Sequence, residues 1–102
     1  TKARVFHDDA LQRIARVIGD GLDLRGAFCF QAMRDAADEH WLVMDVNARP
    51  GAGSPMSAAA GFDTVGAMLV EAFAGRVASD RLATVEPECY VTRFYDHVVQ
   101  RR

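Results

Sequence analysis

The chain has 102 residues, half of them hydrophobic and a quarter charged, with a formal net charge of −2. That length allows one domain with a modest core, which we expect to span residues 1–102. The weak negative charge gives no reason to expect nucleic acid as a partner, and no apolar run approaches the roughly 20 residues that cross a bilayer. Cys29 and Cys89 lie far apart without CxxC spacing. We therefore expect reduced thiols and a cytoplasmic protein that does not enter a membrane.

The N-terminal half of the chain predicts a short edge strand, a helix and a β-hairpin. Apolar residues recur at helical spacing from residue 11 onward, and Asp8 or Asp9 is placed to cap that helix. Glycines end the helix near residue 20. Two strands follow, at 27–33 and 41–47, and the polar segment between them favours a hairpin connection.

The C-terminal half begins with a Gly/Pro loop, PGAGS at residues 50–54, and the small residues after it predict a helical turn. A longer helix follows, begun by Asp63 or Thr64 and ended by Gly75. Residues 76–88 predict a connection with a short helical piece, and a last strand starts at Cys89. The order of these elements predicts an α+β fold, with helices packed on an antiparallel sheet.

The predicted hairpin brings polar side chains of two strands together. A hairpin centred near Asp38 places Gln31 opposite Asp45, with their Cβ atoms about 5 Å apart. Alternation along the second strand puts four side chains on one face, those of Trp41, Val43, Asp45 and Asn47. Hard cations such as Mg²⁺ take oxygen ligands, often few of them from carboxylates and the rest from phosphates and water. One carboxylate and two amides therefore suit a metal that arrives with a nucleotide.

Two interpretations of Asp45 and Asn47 remain open at this point. Such residues near a strand end commonly cap the following turn, because their side chains bond to nearby backbone N–H groups. A ligand site is favoured by Gln31 on the neighbouring strand and by Arg49, whose planar fork suits phosphate or carboxylate. The glycines of the PGAGS segment that follows let the backbone approach an anion, although their spacing fits no dinucleotide or P-loop pattern.

Two segments resemble a known family. "GAFCFQ" at residues 26–31 and "WLVMDVNARPGAGSPMSAAAGFD" at 41–63 resemble the C-terminal half of the ATP-grasp domain. They are most similar to carbamoyl-phosphate synthetase large subunits and related carboxylate–amine ligases. In that family a Gln or Glu metal ligand follows a strand-opening Gly by five residues, as Gln31 follows Gly26. The next strand ends in Glu-x-Asn-x-Arg, matched by Asp45, Asn47 and Arg49, with an aspartate one methylene shorter than the usual glutamate.

The resemblance implies a set of roles for these residues. Gln31, Asp45 and Asn47 would be the ligands that hold Mg²⁺ or Mn²⁺ against the phosphates of ATP, and Arg49 would be catalytic beside the transferred phosphoryl group. The implied activity is an ATP-dependent ligase that converts a carboxylate substrate to an acyl phosphate, which an amine or another nucleophile then attacks.

The resemblance also bears on the extent of the domain. The family's nucleotide-binding half precedes this motif and is absent from the sequence, so we expect a C-terminal part of an ATP-grasp domain that is inactive by itself. The alternative hypothesis is a non-catalytic ATP-grasp-like scaffold or self-association module. In that case an apolar face left exposed predicts a homodimer.

Overall fold

The computed structural model describes residues 2–76, 82 and 88–101. Its elements in chain order are β1 (Lys2–Val5), α1 (Asp9–Gly21), β2 (Cys29–Arg34), β3 (Trp41–Asn47), α2 (Ser54–Ala59), α3 (Thr64–Ala74) and β4 (Cys89–Thr92). The predicted α+β class is confirmed, and the described strands form two antiparallel pairs, β1 with β4 and β2 with β3. The predicted helical piece within residues 76–88 lies mostly outside the described residues.

Side chains and a glycine fix the helix ends where the sequence predicts them. Asp8 caps α1, since its Oδ1 accepts a hydrogen bond from the backbone N of Leu11 at 2.9 Å. Asp63 caps α3 in the same way, accepting from the N of Gly66 at 2.8 Å. Gly75 ends α3 in the left-handed conformation, with φ of 64°, which glycine adopts without the strain that a Cβ introduces.

The β2–β3 hairpin has the predicted pairing at the end where the strands meet the Gly/Pro loop. Gln31 pairs with Asp45, and Cys29 pairs with Asn47. The turn at the other end is closed by the N–H of Asp35, which donates to the carbonyl of His40 at 2.8 Å. The two strands therefore hold the candidate ligands in a fixed cross-strand register.

A β-bulge changes the predicted alternation further along the same hairpin. Gln31 and Ala32 are consecutive, yet their partners are Asp45 and Val43, so Met44 is the extra residue of the bulge. Val43 and Trp41 consequently lie on the face of the hairpin opposite to Asp45. The prediction that all four alternating side chains share one face is wrong for these two, and neither of them lines the cavity that contains Asp45 and Asn47.

Packing is open throughout the described part of the chain. Ala67, at 8 % exposed, is the only described residue that is buried. Gly19 of α1 faces the ring of Phe28, the residue before β2, and a Cβ there would lie in ordinary contact with that ring at 3.5 Å. Several large apolar side chains remain more than three-quarters exposed, namely Phe73, Phe94, Tyr95, Val98 and Val99. No described helix combines the length and the apolar character needed to cross a bilayer.

Candidate functional site

One open cavity of about 710 Å³ brings the four predicted site residues together. Gln31 reaches it from β2, Asp45 and Asn47 from β3, and Arg49 from the loop that follows. The register makes Gln31 and Asp45 direct cross-strand neighbours, a relation that places Cβ atoms about 5 Å apart. Residues 50–53 of the Gly/Pro loop complete this side of the cavity.

Asp45 and Asn47 bond to each other rather than to the backbone. The Nδ2 of Asn47 donates to the Oδ2 of Asp45 at 2.8 Å, which leaves the other carboxylate oxygen and the amide oxygen available as acceptors. Gln31 is exposed and makes no side-chain hydrogen bond to any described residue. These three side chains thus offer oxygen ligands with one negative charge in total, and the hydroxyl groups of Ser54, Ser57 and Thr64 line the same cavity.

The turn-capping interpretation of Asp45 and Asn47 is not supported by the hydrogen bonds of the described residues. The chain turns after β3 through a backbone bond, in which the N–H of Arg49 donates to the carbonyl of Asn47 at 2.8 Å. Side-chain capping does occur at the opposite end of the hairpin. There Asp35 accepts from the N of Ala37 at 2.7 Å. The two polar side chains at the cavity are therefore not needed to form the turn that follows them.

The Gly/Pro loop folds back against the start of β2. A Cβ on Gly51 would lie 3.3 Å from the Cβ of Cys29, so only glycine fits there without displacing a neighbour. Arg49 is exposed and uses one N–H to bond the carbonyl of Pro50 at 3.1 Å. A guanidinium has five N–H donors, so most of its hydrogen-bonding capacity remains for an anion at the cavity.

A residue of the C-terminal segment also reaches this loop. The Nη1 of Arg93 donates to the carbonyl of Ala52 at 3.2 Å, and its guanidinium carbon lies 5.6 Å from the ring centroid of Tyr95. Sequence reasoning did not single out Arg93. The two bonded residues are 41 positions apart, and no local pattern connects them.

The donor set restricts what the cavity can hold. Asp45 is the only carboxylate among the described residues that line it, and no group of three or more His, Cys, Asp or Glu in the described part of the chain could hold a metal. Arg49 is the one cation among the described residues that line the cavity, and the guanidinium of Arg93 adjoins it through the carbonyl of Ala52. The chain's single lysine, Lys2, lies on β1. Mg²⁺ bound by few protein oxygens completes its shell with water and phosphate oxygens. The arrangement suits a metal–phosphate complex better than a free cation.

Comparisons with protein-family models, with curated proteins and with solved structures found no match to this chain. What the structure defines is a small α+β domain with antiparallel strand pairs. The relation to the ATP-grasp domain stays a prediction, which depends on residues 26–31 and 41–63.

Proposed function

We propose that the cavity holds a divalent metal together with the phosphates of ATP, as the C-terminal part of a cytoplasmic ATP-dependent carboxylate–amine ligase. One observation carries the proposal. Gln31 and Asp45 pair directly across β2 and β3, and Asn47 is bonded to that carboxylate. Arg49 lines the same cavity and supplies positive charge for a phosphate. The sequence resemblance supports the choice of ATP and of a ligase over other metal–phosphate chemistry.

Each side chain has a role that its chemistry allows. The oxygens of Gln31, Asp45 and Asn47 would hold Mg²⁺ or Mn²⁺, and phosphate and water oxygens would complete the shell. The metal, when bound, neutralises charge on the phosphates. Because Asp45 is a methylene shorter than glutamate, its carboxylate reaches less far from β3. The guanidinium of Arg49 offsets the charge that develops as a phosphoryl group passes to the substrate carboxylate.

The reaction itself is a sequence of two displacements. A carboxylate oxygen of the substrate attacks the terminal phosphorus of ATP, so that an acyl phosphate forms and ADP leaves. The lone pair of an amine then attacks the acyl carbon, phosphate leaves, and the amine loses a proton. The contribution of this chain is positioning and charge neutralisation. With one carboxylate and one cation at an open cavity, we expect weak, millimolar binding and no turnover by the chain alone.

Manganese binding tests the proposal, since the free ion has an electron paramagnetic resonance signal that bound ion loses. We expect weak binding of Mn²⁺ alone and tighter binding when ATP is added. Asp45→Asn and Gln31→Ala should each weaken the binding of Mn²⁺ by about tenfold, both without ATP and with it. Arg49→Gln should weaken only the increment due to ATP, because a guanidinium contacts phosphate and cannot ligate a metal.

Asp38→Asn provides the matched control for these variants. Asp38 lies in the turn of the same hairpin, where its Oδ1 accepts from the backbone N of His40 at 3.1 Å, and an asparagine oxygen keeps that bond. It should bind Mn²⁺ and ATP like the unaltered chain. Equal loss in the Asp38 and Asp45 variants would show that manganese follows general negative charge and not the proposed site.

The exposed apolar surface favours a second candidate function, that of a self-association module or scaffold. Among the described residues, five large apolar side chains are more than three-quarters exposed, those of Phe73, Phe94, Tyr95, Val98 and Val99. Exposed apolar patches commonly mark sites of association with other proteins. Phe73, 88 % exposed, is among the side chains that association would cover.

A further inference from the structure

A second cavity, of about 540 Å³, lies between the end of β1 and one flank of α1. Three aromatic rings are among its lining residues, those of Phe6, Phe30 and Phe62. We call it the aromatic cavity. Small-molecule sites commonly measure 300–1,000 Å³ and have apolar walls with a few polar groups. The cavity fits that description, and none of the predicted metal ligands lines it.

The two flanks of α1 face different surroundings. Residues at helical spacing line the aromatic cavity, namely Asp8, Leu11, Gln12, Ala15 and Arg16. The other flank, which includes Arg13 and Val17, borders a separate cavity together with Trp41 and Val43 of β3. Arg13 and Arg16 are therefore two arginines of one helix, of which only Arg16 reaches the aromatic cavity.

Most polar groups on the rim of the aromatic cavity already have partners. His7 uses both ring nitrogens, with Nε2 at 2.9 Å from the Oδ1 of Asp9 and Nδ1 at 3.1 Å from the Nε2 of Gln12. Asp8 is engaged by the backbone N of Leu11. These groups occupy the end of the cavity beside the start of α1.

Arg16 lies at the other end of the cavity and differs from these groups. It makes no hydrogen bond or ion pair with any described residue. Eight residues of helix separate it from Asp8, which is about 12 Å along the axis. The unpaired charge at this end is therefore positive and lies well away from the carboxylate at the other end.

We propose that this cavity binds a small carboxylic acid with an apolar aryl or alkyl body. The body packs among the three phenylalanine rings, and the carboxylate accepts hydrogen bonds from the guanidinium of Arg16, whose fork matches the two oxygens. The proposal does not depend on the metal site. Phe30, Ser57 and Phe62 line both cavities, so they form the wall that the two sites share.

Amide chemical shifts in a titration with phenylpropionate test this site, with phenylpropanol as the neutral probe of similar shape. Millimolar affinity is expected for so small a ligand in an open cavity. Shifts should centre on Leu11, Ala15 and Phe62, and the acid should bind about threefold more tightly than the alcohol, since an exposed ionic contact is modest. Added salt should reduce this preference.

Two variants separate the proposed contact from general charge effects. Arg16→Gln should bring the affinity for the acid down to that for the alcohol and leave the alcohol unchanged, while Arg13→Gln should preserve the threefold preference. The proposal is overturned if neither probe shifts these amides at tens of millimolar. It is equally overturned if the shifts centre on the Arg13 flank, or if the Arg16 variant keeps the preference for the acid.

Discussion

Replacing Gly75 by alanine should destabilise the protein, whereas the same replacement at Gly21 should stabilise it. Both glycines stand at helix ends, and a Cβ at either position would have no described atom within 4 Å. Steric contacts therefore contribute equally little at the two sites. The backbone differs, because Gly75 has φ of 64° and Gly21 has no positive φ.

The size of each effect follows from that difference. A left-handed conformation costs a non-glycine residue about 1–2 kcal/mol, and part of this is offset because alanine restricts the unfolded chain. The net loss at Gly75 is about 1 kcal/mol. At Gly21 the lower entropy of the unfolded chain and the higher helix propensity of alanine together give a gain of about 0.5 kcal/mol. For a domain of this size the two variants should differ in melting temperature by roughly 6–12 °C.

Thermal unfolding followed by far-ultraviolet circular dichroism measures this difference directly. Gly75→Asn adds a useful intermediate, since asparagine tolerates the left-handed region better than alanine and should recover part of the loss. Melting temperatures that move in the same direction for Gly75→Ala and Gly21→Ala would refute the assignment of Gly75 as the left-handed end of α3.

Three further predictions concern the cap, the loop and self-association. Asp8→Ala should lower the free energy of unfolding in urea by about 1 kcal/mol, while Asp8→Asn should lower it much less, because asparagine can still cap α1. Equal losses in the two variants would show that the Asp8 side chain does not stabilise α1 as a cap. Gly51→Ala places a Cβ 3.3 Å from that of Cys29 and should reduce the ATP-dependent increment in Mn²⁺ binding. Gly53→Ala, whose Cβ would lie at an ordinary 3.9 Å from the Cε of Met56, should not, and equal effects would argue against a positioning role for the loop. Light scattering should show the mass rising toward that of a dimer with concentration, less so for Phe73→Ser. A constant monomer mass would rule out self-association.

Local signals in the sequence predict much of this fold correctly. The caps at Asp8 and Asp63 and the stop at Gly75 are short-range features, because each involves bonds or dihedral angles within a few residues. The pairing of Gln31 with Asp45 was also predictable, since a short hairpin leaves few alternative registers. Such features need no knowledge of the rest of the chain.

Features that depend on non-local contacts were not predictable. The bulge at Met44 moves Trp41 and Val43 to the other face, and neither residue carries a local signal for it, since bulges reflect how two strands fit together. The bond between Arg93 and the carbonyl of Ala52 joins segments 41 residues apart. The separation of the strands into two pairs likewise depends on how distant elements pack.

Paramagnetic line broadening by Mn²⁺ in the presence of ATP tests the central claim most directly, because it reports where on the chain the metal lies. The proposal predicts that the amide signals of Gln31, Asp45 and Asn47 broaden first, and that Asp45→Asn requires about tenfold more Mn²⁺ for the same broadening. Broadening that begins at Asp35 and Asp38 in the hairpin turn, and that persists unchanged in the Asp45→Asn variant, would contradict the proposed metal–ATP site.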